Sequence, residues 1–253
     1  MREIIKLNED WFFIQEDRKE YASSSHDGWQ AVTLPHTWNA ADADRDDTDY
    51  FRGACWYHKS LSVKENMRGK RVFLEVLAAS NIADVYLNGK HLGTHEAGFS
   101  IFRYDLTEHL QENQENTLAI RVDNSDIEYV YPRAADFTFF GGLYRGVQLV
   151  VVEDSHFDLM DYGSCGIYVT PKVNQNEGTI HICAKVVNDE GCSVEYRIKD
   201  KEGNVCATLS EKANVSVSMS LEQPHLWNGV EDPYLYTLES LWKKPDKTID
   251  CVE

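Results

Sequence analysis

The sequence predicts an all-β protein, a larger jelly-roll sandwich followed by an immunoglobulin-like sandwich. Three observations carry that expectation. Apolar residues recur at every second position in several short segments, the period of a strand with one buried face. Turn residues separate those segments. Helical periodicity is almost absent, and many short strands with little helix imply packed sheets rather than a helical or α/β fold.

The elements follow in chain order. Arg71 to Leu77 reads RVFLEVL, nearly continuous in apolar residues, as a strand covered on both faces is. Ala83–Leu87 and Lys90–Leu92 flank Asn88-Gly89, a dipeptide that takes the positive φ angles of a tight turn, so a β-hairpin is expected. Asp105 to Leu110 can form one helical turn capped by Asp105 and nothing longer. Leu118, Ile120 and Val122 alternate with Ala119, Arg121 and Asp123. The apolar strand Val147–Val152 gives way to a polar stretch at Glu153–Phe157, which places a domain boundary there: a jelly roll over residues 1–155 and an immunoglobulin-like sandwich over 156–253. The second piece is close to the roughly 100 residues and seven strands of such a sandwich. Within it Ile180, Ile182, Ala184 and Val186 alternate with polar residues. Val215, Val217, Met219 and Leu221 do the same, with serines at 216, 218 and 220 on the other face.

Charge narrows the partners. Lys and Arg number 25 against 42 Asp and Glu, a formal net charge of −17. A surface that acidic repels phosphate backbones and anionic lipids, so neither nucleic acid nor membrane is an expected partner, whereas neutral sugars are compatible with it. No apolar run reaches the roughly 18 residues of a membrane span, and the opening MREIIKLNEDWFF lacks the pattern of a signal peptide. Six cysteines without a CxxC pair read as free thiols of a reducing compartment, so a cytoplasmic location is expected. Asn214 opens an N-V-S sequon, which matters only on a glycosylating secretory route.

No catalytic or metal centre emerges from spacing. His91 and His95 are four apart on the predicted hairpin, not in an H-E-x-x-H helix, and read as surface or structural residues. The acidic run Asp42–Asp49 lacks the glycine and glutamate of a calcium loop in usable register. There is no G-x-S-x-G elbow and no G-x-x-x-x-G-K loop. Glycoside hydrolysis needs two carboxyl groups about 5–9.5 Å apart, but with 42 acidic residues some such pair is inevitable. No metal and no cofactor is therefore assigned. The aromatic content of 11%, with six Trp and 13 Tyr, suits sugar stacking as well as the aromatic-rich core of a β-sandwich.

Several segments together resemble glycoside hydrolase family 2. Val32-Thr33-Leu34-Pro35-His36-Thr37-Trp38-Asn39 is similar to its V-x-L-P-H-x-W opening, and Gly53-Ala54-Cys55-Trp56-Tyr57-His58-Lys59 to its G-x-x-W-Y-x-K strand. Val85-Tyr86-Leu87-Asn88-Gly89-Lys90 resembles V-x-L-N-G-K, and His95-Glu96-Ala97-Gly98-Phe99 resembles H-x-G-G-F. Asn116 to Asn124 follows N-x-L-x-V-x-V-D-N, Gly141-Gly142-Leu143-Tyr144-Arg145 follows G-G-I-Y-R, and Asp232 to Leu238 follows N/D-P-x-L-Y-x-L. The order and spacing hold over nearly the whole chain.

The resemblance implies a galactose-binding-like jelly roll followed by the immunoglobulin-like domain. It also implies that the acid/base and nucleophile glutamates lie on a following (β/α)₈ barrel. The chain stops at Glu253, before the usual transition into that barrel, and with the last residues of its second sandwich missing. It is thus expected to be the non-catalytic N-terminal segment of a retaining β-galactosidase-like enzyme, inactive alone, whose parent binds a β-galactoside and is free to form a homo-oligomer. β-Glucuronidase and β-mannosidase stay open as parent activities. A free-standing carbohydrate-binding or adhesion module is the rival class. By the same resemblance Asp136, nine residues before Arg145, is expected to reach the sugar pocket, and Asp49 is a second substrate-binding candidate. Turn capping is the alternative for Asp136, and solvated charge for Asp49. Arg145 is expected to be a buried structural arginine, with a partner for its charge.

Overall fold

The computed structural model describes residues 1–24, 28–42, 50–131, 133, 137–174, 176–189 and 191–253. The chain divides into an N-terminal unit, Glu3–Val151, and a C-terminal unit, Val152–Glu253 together with Met1 and Arg2. Both are built from strands. The helical residues described fall into four single 3₁₀ turns, at Lys19–Ala22, Trp38–Ala40, Glu65–Met67 and Thr107–His109.

The N-terminal unit is a galactose-binding-like jelly roll of two sheets. Its strands are β1 (Glu3–Lys6), β2 (Trp11–Ile14), β3 (Gln30–Val32), β4 (Ala54–Leu61), β5 (Arg71–Val76), β6 (Ile82–Leu87), β7 (Lys90–His95), β8 (Phe102–Asp105), β9 (Asn116–Asp123) and β10 (Val147–Val152). One sheet has the order β3-β2-β4-β9-β6-β7 and the other β1-β10-β5-β8. The larger sheet is antiparallel and centred on β4 and β9, which pair from Ala54↔Asp123 to Leu61↔Asn116. Leu118, Ile120 and Val122 of β9 enter the core between the sheets, alongside Cys55, Tyr57, Leu74, Val76, Leu149 and Val151.

The hairpin β6–β7 turns on Asn88 at φ +53° and Gly89 at φ +79°, the left-handed pair a two-residue turn needs. Asn88 also ties the turn to β9, accepting from Thr117 N at 2.9 Å and donating to Asn116 Oδ1 at 2.8 Å. After β8, Asp105 Oδ1 accepts from the backbone N and the Oγ1 of Thr107 at 2.9 and 2.6 Å, which starts the single turn Thr107–His109. Strand β5 is buried from Val72 to Val76. That stretch includes Glu75, whose carboxylate is paired with Arg103 on β8 and accepts from Gln148 Nε2 on β10 at 2.5 Å. A carboxylate on a central, covered strand needs such partners on both sides, because removing one leaves a buried charge uncompensated.

The outer face of the larger sheet is partly covered as well. Tyr21 and Trp56 form a small buried cluster with Ala119 of β9, joined by Trp29 and Tyr86. Arg121, next on that face, forks onto Asp17 at 2.9 and 2.8 Å, and Trp56 Nε1 donates to the same carboxylate at 2.9 Å. The Arg121 hydrogen bond holds the Asp17 carboxyl below the usual aspartate range.

The C-terminal unit is an immunoglobulin-like sandwich. One sheet runs β12-β13-β17, with β12 (Ile167–Asn174), β13 (Glu177–Ala184) and β17 (Ser216–Glu222). The other runs β16-β15-β18-β19, with β15 (Ser193–Lys199), β16 (Val205–Glu211), β18 (Thr237–Lys244) and β19 (Lys247–Val252). A short pair, β11 (His156–Phe157) with β14 (Val186–Val187), lies beside them in the order of the chain. Alternation is regular in β15, where Val194, Tyr196 and Ile198 are buried. In β17 the serines face solvent while Met219 is buried.

Trp242 is fully buried in this core and donates from Nε1 to Ser155 Oγ at 2.8 Å. Asp250, on β19, is a buried carboxylate in an otherwise apolar setting. Arg2 forks onto it at 2.9 and 2.8 Å, and the backbone N–H groups of Phe157 and Cys251 donate to it at 3.1 and 2.9 Å. All six cysteines are free.

Candidate functional site

The two substrate-binding candidates, Asp136 and Asp49, lie outside the described residues. The structure does describe the chain on either side of them, and it brings those flanks together in the N-terminal unit. The construction starts at the Trp38–Ala40 turn. Thr37 Oγ1 accepts from Asn39 N at 3.2 Å, capping the turn and directing the Asn39 amide inward, where it is fully buried.

Two buried asparagines then join four backbone segments. Asn39 Nδ2 donates to the Asp42 carboxylate at 3.1 Å and to Phe51 O at 2.9 Å, and its Oδ1 accepts from Gly141 N at 2.8 Å. Asn124, at the end of β9, accepts from Gly53 N at 2.9 Å, donates to Phe139 O at 2.9 Å and reaches Asn39 Oδ1 at 3.3 Å. Asp42 also accepts from Phe51 N at 2.9 Å, closing the base of the acidic segment. Tyr50 Oη accepts from Phe139 N at 3.1 Å. So Tyr50, the neighbour of Asp49, is bonded to Phe139, three residues after Asp136. A buried amide offers both donors and an acceptor in one rigid plane, which is why asparagine can serve as such a junction.

Glycines let the second segment approach. A Cβ on Gly141 would lie 2.0 Å from Trp38 Cζ2, 2.4 Å from Cε2 and 2.7 Å from Asn124 Cγ. Gly142 has φ +126°, and its Cβ would meet His36 O at 2.5 Å. Both residues must be free of a side chain for this strand end to lie against the Trp38 turn.

Beside this junction is an open groove of about 340 Å³, walled by Phe99, Phe137, Phe139, Phe140 and Tyr144 and floored by Thr37, Ser80 and Asn81. Phe99, Phe137 and Phe140 are 61%, 56% and 46% exposed, an unusual density of bare phenyl rings. Tyr144 is fixed by donation from its Oη to Gly98 O at 2.5 Å. Arg145 corrects the expectation of a buried structural arginine. It is exposed, and its guanidinium lies over the Tyr144 ring at 5.6 Å. β10 begins only at Val147.

Behind the groove, Tyr57 Oη and His36 Nδ1 are 2.8 Å apart. Burial pushes the Tyr57 phenol well above its ordinary value, so it keeps its proton, while burial holds His36 below its ordinary value. The folded value of His36 lies below the unfolded one near 6.5. Its stabilising contribution is therefore present above that pH and is lost as pH falls through the folded value. The melting temperature is expected to drop more between pH 7 and pH 5 for the wild-type chain than for His36→Asn. Equal slopes would contradict this.

His91 and His95, on β7, do not converge on a metal. His91 lies 3.3 Å from Asp84 and packs on Tyr86, and His95 stacks on Phe102 and bonds Ser100 Oγ at 3.0 Å. Among the described residues no group of three His, Cys, Asp or Glu side chains is placed to hold a metal ion. Sequence reasoning missed Asn39 and Asn124 as organisers. The signal was the amide that ends each of two apolar motifs, V-T-L-P-H-T-W-N and L-A-I-R-V-D-N.

Comparison with known proteins matches this geometry to a family. Residues 39–140 match the glycosyl hydrolase 2 galactose-binding domain-like family, and residues 165–253 match glycosyl hydrolases family 2. A β-glucuronidase of Bacteroides fragilis is 32% identical over 99% of this chain and 37% of its own length. A β-galactosidase of Thermoanaerobacter pseudethanolicus is 26% identical over 94% of this chain and 33% of its own. Among solved structures, an FMN-binding β-glucuronidase of Faecalibacterium prausnitzii aligns over the whole chain and 38% of its own, at 39% identity with a TM-score of 0.89. The chain spans roughly a third of the length of these relatives.

Proposed function

Because this chain belongs to glycoside hydrolase family 2, we propose that it supplies the two N-terminal β-domains of a β-glucuronidase, the jelly roll lending loop carboxylates to a sugar pocket. The observation that carries the activity is the similarity to proteins named β-glucuronidase, at 32% and 39% identity over essentially all of this chain. The joined roots of the segments holding Asp49 and Asp136 support the jelly roll's part, since a rigid base is what a sugar-orienting carboxylate requires. A β-galactosidase is the second reading, favoured by the Thermoanaerobacter relative.

The test is turnover by the longer protein that carries this chain, with 4-nitrophenyl β-D-glucuronide and 4-nitrophenyl β-D-galactoside side by side. A higher kcat/KM on the glucuronide is expected, and the reverse order would install the second reading. In the same protein Asp136→Ala is expected to lower kcat/KM by roughly 10- to 150-fold, the worth of about 1.5–3 kcal/mol for a charged hydrogen bond. Its melting temperature should stay near that of the wild type. A lowered melting temperature with kcat/KM within about twofold would reduce Asp136 to a turn cap.

A further inference from the structure

The groove of the N-terminal unit contains an unspent hydrogen-bond donor. Asn81 is 4% exposed and forms part of the groove floor. Its backbone N–H donates to Asp123 O at 2.9 Å and its Oδ1 accepts from Ser80 Oγ at 2.8 Å. Its Nδ2 donates to no acceptor among the described residues. It is not one of the fully enclosed donors of the fold, so it can be reached from the groove, where a ligand acceptor would take the place of water.

The rest of the groove says what kind of ligand. Its polar side chains are few beside its rings: the Ser80 hydroxyl is spent on Asn81, Thr37 Oγ1 accepts from Asn39 N and keeps its own O–H, the Tyr144 Oη is spent on Gly98 O, and Thr138 completes the set. A pyranose, with a hydroxyl on most carbons, would lose more hydrogen bonds to water than this floor could replace. The walls are phenyl rings, and Phe137 and Phe139 meet at 5.2 Å between centroids. Covering the exposed rings of Phe99, Phe137 and Phe140 with another flat ring removes apolar area from water and permits ring stacking. The volume of about 340 Å³ falls in the range of small-ligand sites.

We infer that this groove is a binding site for a flat, apolar ring bearing one acceptor oxygen, received by the Asn81 amide. Under the glycosidase reading, on which this identification of the source rests, such a ring is the aromatic aglycone of the β-glycoside. The glycone is left to the carboxylates.

The probe is 4-methylumbelliferone, a planar ring system with a carbonyl acceptor, titrated into the 253-residue chain and followed by amide-resolved NMR. The Asn81 side-chain resonances should move with saturation. Asn81→Asp, which keeps the shape and the Ser80 bond but loses the donor, should weaken binding about tenfold. Phe140→Ala, a change at a half-exposed ring with little bearing on folding, should weaken it severalfold. Unmoved Asn81 resonances, or wild-type affinity in both variants, overturn the proposal.

In the longer protein, Asn81→Asp should lower kcat/KM about tenfold for the 4-methylumbelliferyl glycoside relative to the methyl glycoside. An equal loss on both substrates means that another part of the chain fills the groove, and overturns the proposal. If neither glycoside is turned over, the glycosidase reading fails, while the titration still decides the site.

Discussion

Asp250→Ala is expected to destabilise the C-terminal unit by about 3–5 kcal/mol, the usual cost of removing one partner from a buried ion pair. The carboxylate is buried and answers three separate groups: the Arg2 guanidinium through both oxygens, and the N–H groups of Phe157 and Cys251. Truncation removes both oxygens onto which the Arg2 guanidinium forks, at a side chain only 17% exposed, and the acceptor of the Phe157 N–H on β11. Asp250→Asn keeps the shape and one acceptor, so its loss should be smaller. Urea unfolding of wild type, Asp250→Ala and Asp250→Asn gives the order directly. A loss within about 1 kcal/mol for Asp250→Ala would mean that water replaces the carboxylate in the folded chain.

Gly141→Ala should be the most damaging single-methyl change in the N-terminal unit, costing about 3 kcal/mol, the upper part of the usual range for overpacking. The new carbon would sit 2.0 Å from the Trp38 ring, and that ring has nowhere to go. It stacks on Phe13 at 6.0 Å and meets Phe51 edge-on at 6.4 Å. Relief must come from moving the 139–142 segment, which breaks the bonds of Gly141 and Phe139 to the two asparagines. At roughly 2–4 °C per kcal/mol for a unit of this size, the melting temperature should fall by about 6–12 °C. Gly146→Ala is the control: its Cβ would meet nothing nearer than Asn8 Oδ1 at 3.0 Å, so a much smaller shift is expected.

The strands were legible because the period of two is a local property. Leu118, Ile120 and Val122 face the core, Met219 is buried between exposed serines, and Asn88-Gly89 turns where its dihedral preferences require. What was not legible depends on residues far apart in sequence. Ala119, on the nominally outer face of β9, is buried because Tyr21 and Trp56 cover it, and no pattern within β9 foretells that. Arg145 shares parity with the buried Val147 and Leu149, but the alternation that would bury it begins only at Val147. For the candidate site, the motifs marked the right stretches without disclosing how they meet. Asn39 and Asn124 are 85 positions apart, and their 3.3 Å contact is a product of sheet topology. Asp49 and Asp136 themselves lie outside the described residues, so what the fold adds is the frame on either side of them.

That frame has a consequence for how specificity can change. Asp42, Tyr50 and Phe51, the described residues that flank positions 43–49, are all bonded into the two-asparagine junction or to Phe139 beside it. Those bonds are made by the flanks themselves, so rewriting positions 43–49 leaves them in place, as with an interchangeable cassette. Under the proposed function, exchanging residues 43–49 for those of a relative should alter which sugar is recognised while leaving thermal stability close to that of the parent chain. Mutation of Asn39 or Asn124 has no such freedom, because each would disturb both loops at once. Under the proposed function, new substrates would be reached by rewriting a short stretch of sequence, provided that the two amides are kept.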